Sequence, residues 1–256
     1  MISVIQLGTV DYGLGLELQQ RLVELRIAGK IGDTLLLLEH PPVITLGRNA
    51  RRNNVLASDE LLAQKGVQLF ECDRGGDVTF HGPGQLIGYP IFDLRSFKPR
   101  LGAVDFVRKM EEALIRACSD YAIATERICG LTGVWTKPKP ASTGQAKLAA
   151  IGVHISRGVT SHGFALNVNN DLDFFKLIIP CGLESRPVIS VEEILGHQVA
   201  LYEVAELVAR KFGDVFGVEM VQVETLDALL GNTVGVPMKA PQELQELHGK
   251  PADTFA

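Results

Sequence analysis

The chain has 256 residues, of which 46% are apolar and 21% are charged, and its formal net charge is −5. This length allows a substantial core in one large or two small domains, and the composition excludes a chain that is mainly disordered. Apolar runs reach only four residues, as in the leucines at 35–38, whereas a membrane-spanning helix needs about 20. We therefore expect a globular protein with no membrane partner.

Charge and cysteine content narrow the class further. Because the chain is mildly acidic and no basic run is longer than two residues, as in Arg51-Arg52, nucleic acid is not expected as a partner. The N-terminus lacks the basic and long apolar segments of a secretory signal, so we expect a cytoplasmic location. The cysteines form no Cys-x-x-Cys pair and are too few for a disulfide framework, which predicts reduced thiols. They are Cys72, Cys118, Cys129 and Cys181.

The first half of the chain alternates strand and helix patterns. A strand is predicted at 2–7, followed by a helix that ends at Gly29. Strands are predicted at 34–39, 43–46 and 67–72, with a short helix that begins at Ser58 between the last two. The longest helix is predicted at 103–122, where apolar residues recur at helical spacing.

Two β-rich runs, at 147–155 and 159–168, flank Arg157-Gly158, which is typical of a two-residue hairpin turn. This turn predicts that Gly152 lies opposite Gly163, where two positions without side chains would open a groove. It also predicts that Lys147 lies on an otherwise apolar face of the hairpin. The other residues of that face are Ala149, Ile151, Val153, Phe164 and Leu166.

The last regular elements are a short helix, a longer helix and a strand. Ser190 and Glu193 form a capping box for a helix that ends near Gly196, and a helix at 201–216 and a strand at 218–223 follow. Residues from about 230 to 256 lack periodicity and predict a loosely docked tail. Together the elements predict an α+β fold, with a mixed sheet and helices on one side.

The segment from Arg74 to Gln85 contains four glycines and one proline within twelve residues. Such a segment lets backbone N–H groups approach a ligand closely, with His81 as the histidine best placed for function. Alternatively, it is an ordinary connection whose glycines serve only turns. It matches neither a Walker A loop nor a Rossmann glycine motif, so nucleotide binding is not indicated.

Cys181 and Lys147 are the candidate reactive side chains. Cys181 lies between Pro180 and Gly182, which would present its thiol at a turn, whereas the other cysteines are expected to be small buried apolar residues. Lys147 either extends to water without a role or, desolvated by apolar neighbours, exchanges protons with a thiol. No histidine pair has the spacing of a metal site, and no Gly-x-Ser-x-Gly motif indicates a serine hydrolase.

Five segments together resemble the lipoyl(octanoyl) transferases, the octanoyl-[acyl-carrier-protein]:protein N-octanoyltransferases of lipoate biosynthesis. The resemblance covers about residues 35–195, and Asp77 stands where this family often has Gln or Lys. The segments are RGGDVTFHGPGQ from Arg74, TGVW from Thr132, KLAAIGVHIS from Lys147, SHGFALNV from Ser161 and PCGL from Pro180.

The resemblance implies the α+β catalytic fold shared with biotin-protein and lipoate-protein ligases, here as one catalytic domain at 1–229 with a tail at 230–256. It implies that Cys181 is the acyl-accepting nucleophile and that Lys147 lowers the thiol pKa and moves protons, without a cofactor or metal. The implied substrate-binding residues are Arg74, Gly75, Gly76, Asp77, Val78, Thr79, Phe80, His81, Ala150, Ile151, Gly152, Gly163, Phe164 and Ala165.

The implied donor is octanoyl-acyl carrier protein, and the implied acceptors are lipoyl domains of 2-oxoacid dehydrogenase E2 subunits and the glycine cleavage H protein. Backbone amides of Gly75 and Gly76, or the amide after Cys181, are candidate oxyanion donors. Arg51, Arg52 and Arg74 are candidate contacts for an acidic carrier, or are simply solvated surface residues. An ATP-dependent lipoate-protein or biotin-protein ligase, a cysteine thioesterase and a binding module are the alternatives.

Overall fold

The structure is a computed structural model that describes residues 1–137, 144–179 and 186–230. Cys181 and the predicted tail beyond Leu230 lie outside the described residues. None of the described helices is long and apolar enough to cross a bilayer.

Strands and α-helices alternate along the described chain. The strands are β1 Ile2–Thr9, β2 Asp33–Glu39, β3 Val43–Leu46, β4 Gln68–Glu71, β5 Val78–His81, β6 Gln85–Ile91, β7 Thr125–Ile128, β8 Leu131–Thr136, β9 Lys147–Ser156, β10 Val159–Asn167 and β11 Met220–Gln222. The α-helices are α1 Tyr12–Ile27, α2 Asp59–Gln64, α3 Ala103–Asp120, α4 Val191–Leu195, α5 Leu201–Phe216 and α6 Leu226–Leu230.

Within the described ranges the strands form two sheets. The larger has eight strands in the order β11-β1-β2-β6-β10-β9-β8-β7. Strand β1 is parallel to both of its neighbours, and the remaining pairs are antiparallel. The smaller sheet has the order β4-β3-β5. The predicted α+β fold with a mixed sheet is therefore confirmed.

Helices cover both faces of the large sheet, so the expectation of helices on one side is wrong. Leu35 and Leu37 of β2 belong to the core beneath α3 and α5. Leu36 and Leu38 belong to the opposite core, beneath α1. A strand that is buried on both faces needs apolar residues at every position, and the four consecutive leucines of β2 meet this requirement.

Helix α1 begins and ends at residues whose chemistry explains the boundaries. The Asp11 carboxylate accepts hydrogen bonds from the amides of Gly13 and Leu14, which satisfies two N-terminal donors. At the other end Gly29 has φ +68°, and its amide and that of Lys30 bond back to carbonyls of the last turn. The predicted end of this helix at Gly29 is thus confirmed as a left-handed glycine cap.

The small sheet contains part of the glycine-rich segment. Residues predicted to form a single loop include the strand β5, which pairs with β3. A 3-10 helix, Leu172–Leu177, packs on this sheet and completes a third core. The glycine-rich segment is therefore anchored at its centre, and the residues before β5 form the loop that reaches the large sheet.

The β9–β10 hairpin forms as predicted. Gly152 pairs with Gly163, and the turn residues Arg157 and Gly158 have φ values of +49° and +86°. Two positive φ values are the signature of the tight turn that suits the twist of a hairpin. A second hairpin, β7–β8, was not predicted, although the TGVW segment lies in it.

Candidate active site

A cavity of about 400 Å³ lies where the glycine-rich segment meets the β9–β10 hairpin. Of the described residues that the family resemblance implies for the site, all except Phe80 line this cavity. The implied site residues that line the cavity are Arg74, Gly75, Gly76, Asp77, Val78, Thr79, His81, Lys147, Ala150, Ile151, Gly152, Gly163, Phe164 and Ala165. The structure thus brings together three segments that are far apart in the sequence, while the roles of these residues stay predictions.

The two paired glycines do not open a groove as predicted. A Cβ atom on Gly152 would lie 2.6 Å from the carbonyl oxygen of Gly75, and one on Gly163 would lie 2.1 Å from that of Gly88. Backbone therefore occupies the space that side chains would fill. Gly152 allows the segment around Gly75 to lie directly on the hairpin, where it shapes one wall of the cavity, and Gly163 allows the close approach of β6 at Gly88.

Arg74 is buried and holds the glycine-rich segment in place. Its guanidinium donates to the carbonyl oxygen of Thr45 at 2.7 Å and to the Thr45 hydroxyl at 2.9 Å. The interpretation of Arg74 as an exposed contact for a carrier protein is therefore wrong. The amide of Gly75 donates to the carbonyl of Val153 at 3.0 Å, so it is not available as an oxyanion donor. Of the two predicted oxyanion donors in this segment, Gly75 and Gly76, only Gly76 stays a candidate.

Asp77, the residue that departs from the family pattern, joins two segments beside the cavity. Its carboxylate accepts hydrogen bonds from the Asn54 side chain at 2.6 Å and from the amide of Val78 at 2.8 Å. The backbone carbonyl of Asn54 in turn accepts from the amide of Ile179 at 2.7 Å. Asp77 is therefore linked, through Asn54, to the chain that leads to Cys181.

Lys147 lies at the cavity, but not on the face predicted from strict alternation. The pairing of β8 with β9 shifts register between Val134 and Trp135, and Leu148 and Ala149 both enter the core beneath α3. This bulge places Lys147 with Ala150 on the opposite face, where both also line a small adjoining cavity. The ammonium lies 4.8 Å from the centre of the Trp135 ring, a cation–π distance.

The backbone of Lys147 bonds to the chain that follows the Cys181 segment. Its amide donates to the carbonyl of Pro187 at 2.8 Å, and its carbonyl accepts from the amide of Ile189 at 3.0 Å. Upstream of the segment, Phe174 stacks on Phe80 with ring centres 4.8 Å apart. Phe80 thus anchors the chain before Cys181 rather than lining the cavity. Cys181 itself lies outside the described residues.

Buried tyrosines and histidines, which the sequence did not single out as a group, form one end of the cavity. Tyr12 and Tyr89 line it, and Tyr89 donates a 2.7 Å hydrogen bond to Nε2 of His40. Because Nδ1 of His40 donates to the carbonyl of Val10 at 2.6 Å, its ring is a neutral acceptor at Nε2. Burial lowers the pKa of His40 to about 4 and that of His81 to about 3. These rings are therefore uncharged at neutral pH.

His162 also lines the cavity and is held by polar contacts on two sides. Its Nε2 donates to the Asp73 carboxylate at 2.7 Å, and its amide donates to the side-chain oxygen of Gln19 at 2.7 Å. Burial lowers the pKa of His162, although the hydrogen bond and charge of Asp73 act in the opposite direction. Its position in the SHGF segment was visible in the sequence, but its contacts with Asp73 and Gln19 could not be predicted from that segment alone.

Two of the other cysteines and the possibility of a metal site can also be compared with the sequence predictions. Cys118 is buried, as predicted, and burial raises its pKa to about 12, whereas Cys129 is exposed, contrary to prediction. Among the described residues, no three His, Cys, Asp or Glu side chains lie close enough together to hold a metal ion.

Comparison with known proteins identifies the family. The model of the family described as lipoyl protein ligase A/B catalytic domain matches residues 11–213. An octanoyltransferase of Koribacter versatilis is 58% identical over 97% of both chains, and one of Acidobacterium capsulatum is 56% identical over 90% of this chain and 96% of its own. The chain belongs to the family of the lipoyl protein ligase A/B catalytic domain. It is an acyltransferase of the octanoyltransferase group.

Solved structures share the fold of this chain. A bipartite lipoate protein ligase from Thermoplasma acidophilum superposes with a TM-score of 0.68 at 16% identity, covering 95% of this chain and 92% of the other. A lipoate-protein ligase A bound with ATP gives 0.66 at 14% identity over 98% and 97%. A biotin protein ligase from Aquifex aeolicus gives 0.51 at 15% identity over 84% and 70%. The predicted relation to both ligase folds is confirmed.

Proposed function

We propose that this protein transfers an octanoyl group from octanoyl-acyl carrier protein, through a thioester on Cys181, to the ε-amine of a lysine on a lipoyl domain. The acceptors are lipoyl domains of 2-oxoacid dehydrogenase E2 subunits and the glycine cleavage H protein. The curated relatives named octanoyltransferase support the acyl group. The T. acidophilum ligase of the same fold, described with its E2 lipoyl domain, supports the acceptor class.

One observation carries the mechanism: Lys147 lies at the cavity and bonds, through its backbone, to residues that closely follow Cys181. Pro187 comes six residues after Cys181, and Ile179 comes two residues before it. Both neighbours are fixed near the cavity, by Lys147 and by Asn54 respectively. Because Ile179 and Pro187 flank Cys181 in the sequence, these two bonds support a role for Cys181 at the cavity that Lys147 lines.

In the first step the Cys181 thiolate attacks the thioester carbonyl of the donor. Lys147, which lines the cavity, takes the thiol proton. The tetrahedral oxyanion collapses, the phosphopantetheine thiolate leaves and accepts a proton, and an S-octanoyl enzyme remains. One thioester replaces another, so this step is nearly balanced in free energy.

In the second step the neutral amine of the acceptor lysine attacks the S-octanoyl carbonyl. Lys147 accepts the amine proton, the Cys181 thiolate leaves, and an amide forms. Because an amide is more stable than a thioester, the transfer proceeds without ATP. The amide of Gly76 is the candidate oxyanion donor on the described side of the cavity, and one such donor contributes roughly 100-fold to the rate.

The test is intact-protein mass spectrometry after mixing the enzyme with octanoyl-acyl carrier protein in the absence of ATP. The wild type is expected to gain one octanoyl group and to lose it when a lipoyl domain is added and becomes acylated. Cys181→Ala and Lys147→Ala are expected to abolish transfer, whereas Cys129→Ala and Lys176→Ala, at exposed residues, retain it.

Three results would contradict the proposal. Turnover in Cys181→Ala would exclude the thioester intermediate. An octanoyl enzyme that discharges only to water would indicate a thioesterase. Acylation of the lipoyl domain only from free fatty acid and ATP would indicate a ligase, and Cys181 would then have no role as a nucleophile.

A further inference from the structure

A second cleft of about 410 Å³ lies behind the candidate active site, along α1. Among the described residues, only His162 lines both this cleft and the active-site cavity. The described residues around the second cleft include Leu16, Gln19 and Val23 of α1, together with Asp73 and His154. His162 is therefore a wall shared by two spaces, each large enough for part of a ligand.

An unusual backbone conformation gives His162 this position. Strand alternation would place it with Phe164 on the α3 side, but its φ of +55° turns it toward α1, where it meets Asp73. Few residues other than glycine adopt this conformation without compensating contacts. The hydrogen bonds to Asp73 and Gln19, together with an edge contact to Tyr89 at 6.4 Å, provide them.

The distance from Lys147 to this wall suits a medium-length acyl chain. Lys147 opens β9, and His162 pairs with Val153, six residues further along that strand. Six strand residues span about 20 Å. The lysine side chain, the thioester and an extended octanoyl chain together fill a distance of this order, which leaves little room for longer chains.

We propose that His162 is the end wall of the acyl site and thereby limits the length of the transferred chain. The inference rests on the proposed function. Without the imidazole, the active-site cavity joins the second cleft, and the additional carbons of a longer chain enter it beside Leu16 and Val23. The limit is steric, so a side chain of similar size restores it.

The experiment compares kcat/KM for hexanoyl-, octanoyl-, decanoyl- and dodecanoyl-acyl carrier protein in wild type, His162→Gly and His162→Gln. Glycine opens the wall and suits the positive φ, whereas glutamine keeps bulk and a donor for Asp73. In His162→Gly the ratio of dodecanoyl to octanoyl kcat/KM is expected to rise about tenfold, since relief of a steric limit on a few methylene groups changes kcat/KM by that order. His162→Gln is expected to keep the wild-type ratio.

The matched control is His154→Ala, because His154 lines only the second cleft and lies 3.5 Å from the same carboxylate of Asp73. Its chain-length profile is expected to match that of the wild type. An equal loss for all chain lengths in His162→Gly would overturn the proposal and assign His162 a structural role. Absence of octanoyl transfer by the wild type would instead refute the proposed function.

Discussion

The neutral histidines beside the candidate site make the fold sensitive to acid at the level of single residues. His40 has Nδ1 committed to a backbone carbonyl and Nε2 to the Tyr89 hydroxyl. Burial of the ring disfavours its charged form and lowers the pKa of His40 to about 4 in the folded protein, against an ordinary value of 6.5.

The sign of the resulting pH dependence follows from proton binding. Between about pH 6.5 and 4 the unfolded chain binds a proton at His40 and the folded chain does not, so the free energy of unfolding falls as the pH falls. Its slope from this residue is about 1.4 kcal/mol per pH unit. Urea denaturation measures the free energy of unfolding at each pH. In His40→Gln the dependence of this free energy on pH is expected to be weaker than in the wild type, by the amount that corresponds to one proton. An unchanged slope would show that His40 is protonated in the folded state.

Gly152 is a second position where a single atom decides the local structure. The added methyl group in Gly152→Ala would lie 2.6 Å from the Gly75 carbonyl oxygen, so the segment that forms the cavity wall must move. We expect a loss of about 1–3 kcal/mol in unfolding free energy and a reduced rate of octanoyl transfer. In Gly32→Ala, whose methyl group meets nothing within 4 Å, both quantities are expected to change little. Equal effects of the two substitutions would contradict the packing argument.

At the scale of elements, the sequence predicted the candidate site in outline and missed two backbone irregularities. Hairpin pairing followed from Arg157-Gly158 because a two-residue turn fixes the register. The bulge at Leu148 reverses the face on which Lys147 lies, and the positive φ at His162 reverses the face of His162 itself. Both depend on contacts with β8 and α1, which a local pattern of alternation does not contain.

Glu111 shows how one buried side chain couples elements around the site. Its carboxylate in α3 accepts hydrogen bonds from the amide of Gly133 in β8 at 3.0 Å and from Arg108 and Arg127 at 2.6 and 3.1 Å. The side chain is fully buried. Strand β8 also carries Trp135, which lies beneath the Lys147 ammonium. The carboxylate therefore stabilises the strand that positions Lys147.

Glu111→Gln is expected to lower the free energy of unfolding by about 3 kcal/mol, since it removes the charge that two guanidinium groups share in a buried position. The neighbouring Glu112→Gln is the control, because its side chain is 30% exposed and its pairs with Arg116 and Arg127 lie at the surface. That substitution is expected to cost under about 1 kcal/mol. Chemical denaturation compares the two, and similar losses would argue against the coupling role of Glu111.

At the scale of the molecule, the predicted α+β class is confirmed, whereas the prediction that helices cover only one face of the sheet is wrong. The four leucines of β2 signalled burial on both faces, yet the sequence did not indicate that α1 would cross to the face opposite α3 and α5. Which face a helix covers depends on the handedness and length of its connections, and these become visible only when the strand order is known. One catalytic domain at 1–229 with a separate tail stays a prediction.

The distribution of charge over the molecule leads to the last prediction. The chain is acidic as a whole, yet Arg48, Arg51 and Arg52 are exposed together on the loop after β3. That loop lies beside the cavity, because the amides of Arg48 and Asn49 bond to the carbonyls of Arg74 and Gly76. An acidic carrier protein would meet this surface first, with Arg52 already paired to Asp59.

Arg51→Glu is therefore expected to raise KM for octanoyl-acyl carrier protein roughly three- to tenfold at low salt and to leave kcat unchanged, because it acts on encounter rather than on chemistry. The difference from wild type should shrink as salt is added. Arg210→Glu makes the same charge change at an exposed position on α5, outside the residues that line the cavity, and should leave KM within about twofold. Steady-state kinetics from roughly 20 to 300 mM salt, over which the Debye length falls from about 20 Å to about 6 Å, would measure both. Equal KM changes in the two variants would show that net charge, and not the surface after β3, governs carrier binding.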